Sequence, residues 1–114
     1  MPKKIKIPNF ADQRGSLGVV EKLIDFKINR VYYLYDLKKN ISRGQHKHKK
    51  NIQFFICLNG KLEIIFKKKR YLLTSPNYGI LINPSDWHEI VPKSKNAIAL
   101  VLASHYYNIN DYIT

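Results

Sequence analysis

Two histidines separated by a single residue stand in the segment 43–49, which reads RGQHKHK. Alternate residues of a β-strand point to the same face, so His46 and His48 would enter one cavity if that face lines a barrel. A third histidine, His88, lies about forty residues further along, after Gly79 and Pro84. Because imidazole titrates near neutral pH, such a cluster suits proton transfer or metal binding.

The residues around these histidines argue against a metal. Gln53 stands five positions after His48, and its neutral amide is a poor ligand for a divalent cation. No carboxylate occurs between Asp36 and Glu63. We therefore expect no metal and no cofactor. Three histidines alone could still hold zinc, so a metal-dependent enzyme stays open as an alternative.

The elements that must position these side chains are short strands. Several segments alternate or concentrate β-branched and aromatic residues and are separated by Gly, Pro and Asn: 4–7, 16–21, 30–35, 51–58, 61–66, 71–73, 79–82, 89–91 and 98–102. The dipeptide Asn59-Gly60 predicts a tight hairpin between two of them. No helical periodicity persists over three turns. The sequence predicts an all-β protein, an antiparallel sandwich or barrel.

Length and composition set further bounds. A chain of 114 residues has room for one domain, 1–114, and its one cysteine, Cys57, lies in an apolar run that predicts a core position. The net charge of +12 comes mainly from scattered lysines, 16 of the 20 basic residues, so we expect no nucleic-acid partner. No stretch approaches a membrane span, so we expect a cytoplasmic protein with no membrane contact.

Seven motifs, in order along the chain, resemble one enzyme family. They are DQRGSL at 12–17, RVYY at 30–33, RGxHxHKxxxQ at 43–53, LNG at 58–60, PxxWHE at 84–89, VLASxYY at 101–107 and DYI at 111–113. Together they are similar to the dTDP-4-oxo-6-deoxyglucose 3,4-oxoisomerases, small cupins of deoxysugar biosynthesis. The resemblance implies a double-stranded β-helix, the jelly-roll barrel of cupins.

The resemblance also implies a reaction and a set of residues. The enzyme would move the ketone of dTDP-4-oxo-6-deoxy-D-glucose from C4 to C3 through an enediol, without metal. His46 would be the base and His48 the neighbouring imidazole that moves a proton between O3 and O4. The remaining expected site residues are Arg43 and Tyr33 as donors to the enediolate, and Arg14, Arg30, Lys49, Gln53, His88 and Trp87 as substrate-binding residues.

Two further expectations concern the product and the assembly. Arg14 together with His88 resembles the branch that makes the 3-oxo-6-deoxy-D-galactose product. The alternating strand around Ile5 and Ile7 is expected to be free to exchange between the subunits of a homodimer. Tyr33 and Tyr35 share one face of their strand, which favours either a sugar pocket or an aromatic core.

Three alternatives to this enzyme remain open at the level of sequence. One is a metal-dependent cupin of the dioxygenase type. Another is a cupin that binds a sugar nucleotide without catalysis. A third is a related sugar-nucleotide epimerase, which would act at C3 and C5 and leave the ketone at C4.

Overall fold

The computed structural model describes residues 2–114, which form short strands and one 3₁₀ helix. The strands are β1 (Lys3–Lys6), β2 (Asn9–Asp12), β3 (Gly15–Gly18), β4 (Arg30–Leu34), β5 (Arg43–His48), β6 (Gln53–Asn59), β7 (Leu62–Phe66), β8 (Arg70–Leu73), β9 (Tyr78–Ile82), β10 (His88–Pro92), β11 (Ile98–Ala103) and β12 (Tyr112–Ile113). The 3₁₀ helix covers Ile109–Asp111. Within residues 2–114 no helix is long and apolar enough to cross a membrane.

Two five-stranded sheets make up the body of the molecule. The first has the strand order β1-β9-β6-β11-β4 and the second has the order β12-β5-β10-β7-β8. Every strand pair is antiparallel. From β4 onwards the chain passes repeatedly from one layer to the other, with β7 and β8 as the one consecutive pair within a layer. The predicted all-β cupin barrel is confirmed.

The main core lies between the two sheets. Phe55 and Val101 project from the first sheet against Ile64 and Ile90 of the second, and all four side chains are buried. Strand β6 is apolar on both faces because its other face is covered by segment 19–26. Cys57 is fully buried in the main core, as predicted.

The Asn59-Gly60 turn does not close a hairpin, so that prediction was wrong. Strands β6 and β7 belong to different sheets, and the turn carries the chain from one to the other. Gly60 has φ +73°, and a Cβ built there would lie 2.4 Å from Ser94 Oγ. The Asn59 amide donates to the Asn96 carbonyl oxygen at 2.8 Å. Contacts with loop 93–97 therefore fix this corner, and they are invisible in the local sequence.

The N-terminal strand is paired within the chain rather than free. Strand β1 forms an antiparallel ladder with β9 along one edge, and it is the outermost strand of the first sheet. Strands β2 and β3 instead form a separate two-stranded sheet whose residues are all exposed. Phe10 and Leu17 face each other across it and are 62% and 61% exposed. This hairpin has no apolar support from the other described residues of its own chain.

Candidate active site

A bulge in β5 gathers the three predicted histidines. His46 pairs with His88 of β10, but the next pair, Arg43 with Ile90, is out of step by one residue. The extra residue is accommodated by positive φ angles at Gly44 (+93°) and Gln45 (+49°). Bulges re-aim the side chains beside them. The imidazole centroid of His46 lies 4.9 Å from that of His48 and 5.1 Å from that of His88.

The bulge also sets the tautomer of His46. Its Nδ1 lies 2.7 Å from the carbonyl oxygen of Gly44, which can only accept a hydrogen bond. The proton therefore resides on Nδ1, and Nε2 carries a lone pair. Burial lowers the pKa of His46 below its usual value, and the Gly44 hydrogen bond offsets only part of that effect. His46 is thus a neutral base at pH 7.

His88 is arranged in the same way on the neighbouring strand. Its Nδ1 donates to the carbonyl oxygen of Asp86 at 2.9 Å, which leaves Nε2 as the acceptor. The ring is almost fully buried, and burial lowers the pKa of His88 to about 4. His88 therefore stays neutral across the physiological range.

His48 lies behind His46 rather than at the surface of a cavity. It is only 2% exposed, and its Nδ1 lies 3.0 Å from Asp111 Oδ2. The Asp111 carboxylate also accepts the backbone N–H groups of Lys50 and Asn51. Burial lowers the pKa of His48, and the Asp111 carboxylate opposes that shift. Asp111 thus ties the end of the chain to the strand that carries His46.

The imidazoles of His46 and His88 open onto a cavity of about 360 Å³ between the sheets. Its other walls come from both sheets and from the C-terminal segment: Arg30, Tyr32, Leu34, Arg43, Gly44, Phe55, Ile90, Tyr107 and Tyr112. Two guanidinium groups and three phenol rings surround an apolar floor. This is the composition of a pocket for a polar ring compound that carries negative charge.

Tyrosine 32, not Tyr33, faces this cavity. Tyr33, on the outer face of β4, and Tyr35, just after that strand, are 63% and 62% exposed, and Tyr33 does not line this cavity. The Tyr32 hydroxyl oxygen accepts a hydrogen bond from the buried Gln53 amide, which leaves the hydroxyl proton free to donate. Gln53, predicted to bind substrate, does not line the cavity and instead supports Tyr32.

Three other predicted binding residues also lie away from the cavity. Arg14 is at the tip of the β2–β3 hairpin, where it pairs with Asp12 at 2.7 Å. Trp87, also predicted to bind substrate, lines a different cavity. Lys49 is exposed and is not part of the cavity wall. Arg30, Arg43, His46 and His88 are the predicted residues that line the cavity, and His48 packs directly behind His46.

Sequence reasoning missed Asp111, Tyr112 and Tyr107. The Tyr112 ring centroid lies 4.8 Å from that of His46 and 4.5 Å from that of His48. The motif DYI at 111–113 was a signal for this contact, but nothing in its local sequence says which strand it joins. Only the β12–β5 pairing, Tyr112 opposite His48, shows it.

The arrangement of potential ligands bears on the metal-dependent alternative. Among residues 2–114, no three His, Cys, Asp or Glu side chains are grouped so that they could hold a metal ion.

These features define a small cupin barrel with a histidine-lined, arginine-rimmed cavity. The family described as "FdtA: WxcM-like, C-terminal" matches residues 2–114, and the chain belongs to this family. It is 41% identical over 117 residues to a TDP-4-oxo-6-deoxy-α-D-glucose-3,4-oxoisomerase of Aneurinibacillus thermoaerophilus, covering 97% of this chain and 84% of that protein. The predicted resemblance to the 3,4-oxoisomerases is confirmed.

Two solved structures are similarly close. A 3,4-ketoisomerase from Helicobacter canadensis is 40% identical, with a TM-score of 0.93 over 98% of this chain and 89% of that one. The sugar 3,4-ketoisomerase QdtA from Thermoanaerobacterium thermosaccharolyticum, solved in complex with TDP, is 39% identical, with a TM-score of 0.88 over 98% and 86% of the two chains.

Proposed function

We propose that this enzyme moves the ketone of TDP-4-oxo-6-deoxy-D-glucose from C4 to C3. The observation that carries the proposal is the Nε2 lone pair of His46, fixed by the Gly44 carbonyl in a cavity that also holds Arg30 and Arg43. The similarity to TDP-sugar ketoisomerases supports the substrate class.

The reaction needs a base, a proton carrier and donors to an anion. His46 Nε2 removes the proton from C3, the C4 carbonyl becomes an enediolate, and the same imidazolium returns the proton to C4. The hydroxyl proton of O3 moves to O4, so atoms and electrons balance without an oxidant. His48 does not line the cavity, so His88, which does, takes the role of moving that proton.

The enediolate requires stabilisation while it exists. Arg43 and the free hydroxyl proton of Tyr32 are donors on the cavity wall. Arg30 lies over the rings of Tyr32 and Tyr107, and its buried Nε has no hydrogen-bond partner among the described residues. A guanidinium held in this way suits the diphosphate of the substrate, with Lys49 as a second, mobile charge.

The product is expected to have the galacto configuration at C4. A single base that removes and returns the proton on one face leaves the C4 hydroxyl axial. A gluco product needs a second acid on the opposite face of the ring. Arg14 together with His88 also resembles the branch of the family that makes the galacto product.

Incubation with TDP-4-oxo-6-deoxy-D-glucose and proton NMR of the product tests both parts of this proposal. A product with its ketone at C3 and a small H4–H5 coupling is expected. A large diaxial coupling would show the gluco branch. A product that keeps the ketone at C4 and is inverted at C3 or C5 would be the work of an epimerase, and no product at all would favour a binding protein.

The exposed hairpin supports a homodimer in which β2–β3, rather than β1, is exchanged between the subunits. A lone two-stranded hairpin is marginal in water, so β2–β3 requires a surface to pack on. The outer face of β4 offers one, because Val31, Tyr33 and Tyr35 are all exposed there. Packing on the partner's β4 would bury both apolar sets and would carry Arg14 onto the partner subunit. A cytoplasmic location stays a prediction.

Light scattering of the purified protein at micromolar concentration tests the dimer. We expect twice the chain mass for the wild type. Leu17→Asp, which places a charge on the proposed contact, should shift the mass towards the monomer. Ile41→Asp, at a similarly exposed apolar residue outside the hairpin, is the matched control and should remain dimeric. A monomeric wild type would contradict the proposal.

A further inference from the structure

Two sequence features that the proposed reaction does not use meet in a second cavity. The lysine run 67–69 forms the turn between β7 and β8, and Trp87 precedes β10. Both line a cavity of about 400 Å³, together with Phe66, Tyr71, Pro2, Ser85 and Asp86. This volume falls within the range of small-molecule sites.

The rim of the cavity carries an excess of positive charge. The three lysines at 67–69 are exposed, and none of them forms an ion pair with a described residue. The Lys69 ammonium lies 5.0 Å from the centroid of the Tyr71 ring. This cation–π contact keeps one positive charge next to the wall of the cavity. Asp86 is the one carboxylate in the lining. An anion would relieve the mutual repulsion of the lysines.

The floor of the cavity is aromatic. Phe66 is buried, Tyr71 is half-buried, and their rings meet edge to face at 5.8 Å. Trp87 is half-buried, and its indole neither contacts a ring nor donates a hydrogen bond within the described part of the chain. One aromatic face and one N–H donor are therefore available to a planar ligand.

We propose that this cavity is a binding site for a nucleoside monophosphate, distinct from the catalytic cavity. The base stacks on Trp87, and the phosphate lies among the ammonium groups of Lys67, Lys68 and Lys69. An inorganic anion alone would leave the aromatic floor exposed, and a neutral ring would leave the lysines unpaired. A ligand that combines a planar ring with a phosphate satisfies both.

The two cavities share a wall. The Phe66 ring centroid lies 6.3 Å from that of His88, and the Asp86 carbonyl accepts the Nδ1–H of the same imidazole. Phe66, on the wall of the second cavity, pairs directly with His88 across β7 and β10, so the two side chains project to the same face of the second sheet. A ligand on Trp87 would therefore lie beside the segment 86–88 that orients His88, in a cavity that His88 itself does not line.

The experiment uses Trp87 itself, because it is the only tryptophan of the chain. Adenosine monophosphate is titrated into the full-length protein with the catalytic cavity held filled by TDP, and the tryptophan fluorescence is recorded. We expect saturable quenching. Adenosine and inorganic phosphate should each bind about tenfold more weakly or worse.

Two variants locate the site. The double variant Lys67→Gln, Lys69→Gln should bind adenosine monophosphate about tenfold more weakly than the wild type. Its KM for the sugar nucleotide should be unchanged. The same pair of changes at Lys38 and Lys39, exposed lysines outside this cavity, is the matched control and should bind normally. Calorimetry on Trp87→Leu, which removes the probe, should show the same loss of binding.

Several results would overturn the proposal: no saturable quenching, equal binding by inorganic phosphate alone, or unchanged binding in the lysine double variant. A raised KM for the sugar nucleotide in that variant would overturn it too, because the cavity would then belong to the substrate site. None of the binding measurements depends on turnover, so a failure of the proposed isomerase activity would be seen separately.

Discussion

His46→Asn should reduce turnover of TDP-4-oxo-6-deoxy-D-glucose by about 10³-fold or more while leaving TDP binding nearly intact. The asparagine side chain can reproduce the hydrogen bond to the Gly44 carbonyl that His46 Nδ1 makes at 2.7 Å. It has no group in the place of Nε2, so the base is lost while the bulge of β5 is preserved. Single-turnover kinetics and TDP calorimetry measure the two effects separately.

The same substitution at another histidine supplies the control. His105 is exposed and forms a hydrogen bond with Ser104 outside the catalytic cavity, so His105→Asn should retain activity.

In the wild type, kcat/KM should fall as the pH is lowered through the pKa of His46, because a protonated imidazole cannot accept the C3 proton. Burial lowers that pKa, so the acid limb should lie below pH 6.5, the usual value. Near-normal activity in His46→Asn would show that His46 is not the base that removes the C3 proton.

The sequence predicted the strands and the histidine cluster well because both follow from local spacing. Alternation in segments such as 30–35 reports an extended strand, and His-X-His places two imidazoles on one face. The same alternation cannot say which face is inward when both are apolar. In β4, Val31 and Tyr33 are as apolar as Tyr32 and Leu34, so the sequence does not show that Tyr32 is the tyrosine that faces inward.

Other errors came from contacts between segments far apart in the chain. The Asn59-Gly60 dipeptide satisfies the requirements of a hairpin, but hydrogen bonds with loop 93–97 hold it as a connection between the two sheets. Asp111 meets His48 across 63 residues, and Trp87 lines a different cavity from its chain neighbour His88. Such placements depend on which strands become neighbours, and the local pattern does not contain that information.

Asp111→Asn should lower kcat by about 100-fold with a much smaller change in KM, although Asp111 does not line the catalytic cavity. Its Oδ1 accepts the Lys50 N–H at 2.8 Å, and its Oδ2 faces His48 Nδ1 at 3.0 Å. An asparagine that keeps its oxygen towards Lys50 turns its NH₂ group towards His48. His48 Nδ1 must then accept, so the imidazole proton moves to Nε2.

That proton would have no acceptor, because His48 Nε2 is buried without a hydrogen-bond partner in the described chain. The ring must shift to relieve this, and it packs edge to face on His46 at an interplanar angle of 88°. A displaced His48 would therefore displace the base, which makes Asp111 a positioning residue. The charged or titratable groups that face His48 are His46, His88, Tyr112, Arg30 and Asp111, so the variant removes the one anion among them.

Long-range ¹H–¹⁵N NMR of the resting protein distinguishes this role from a general loss of structure. The wild type should show the His48 proton on Nδ1, and Asp111→Asn should show it on Nε2, with the thermal transition still cooperative. Asp25→Asn, at an exposed carboxylate of a surface loop, is the matched control and should change neither the tautomer nor kcat. A wild-type His48 with its proton on Nε2, or a kcat for Asp111→Asn within about twofold of wild type, would show that the carboxylate does not orient the catalytic histidines.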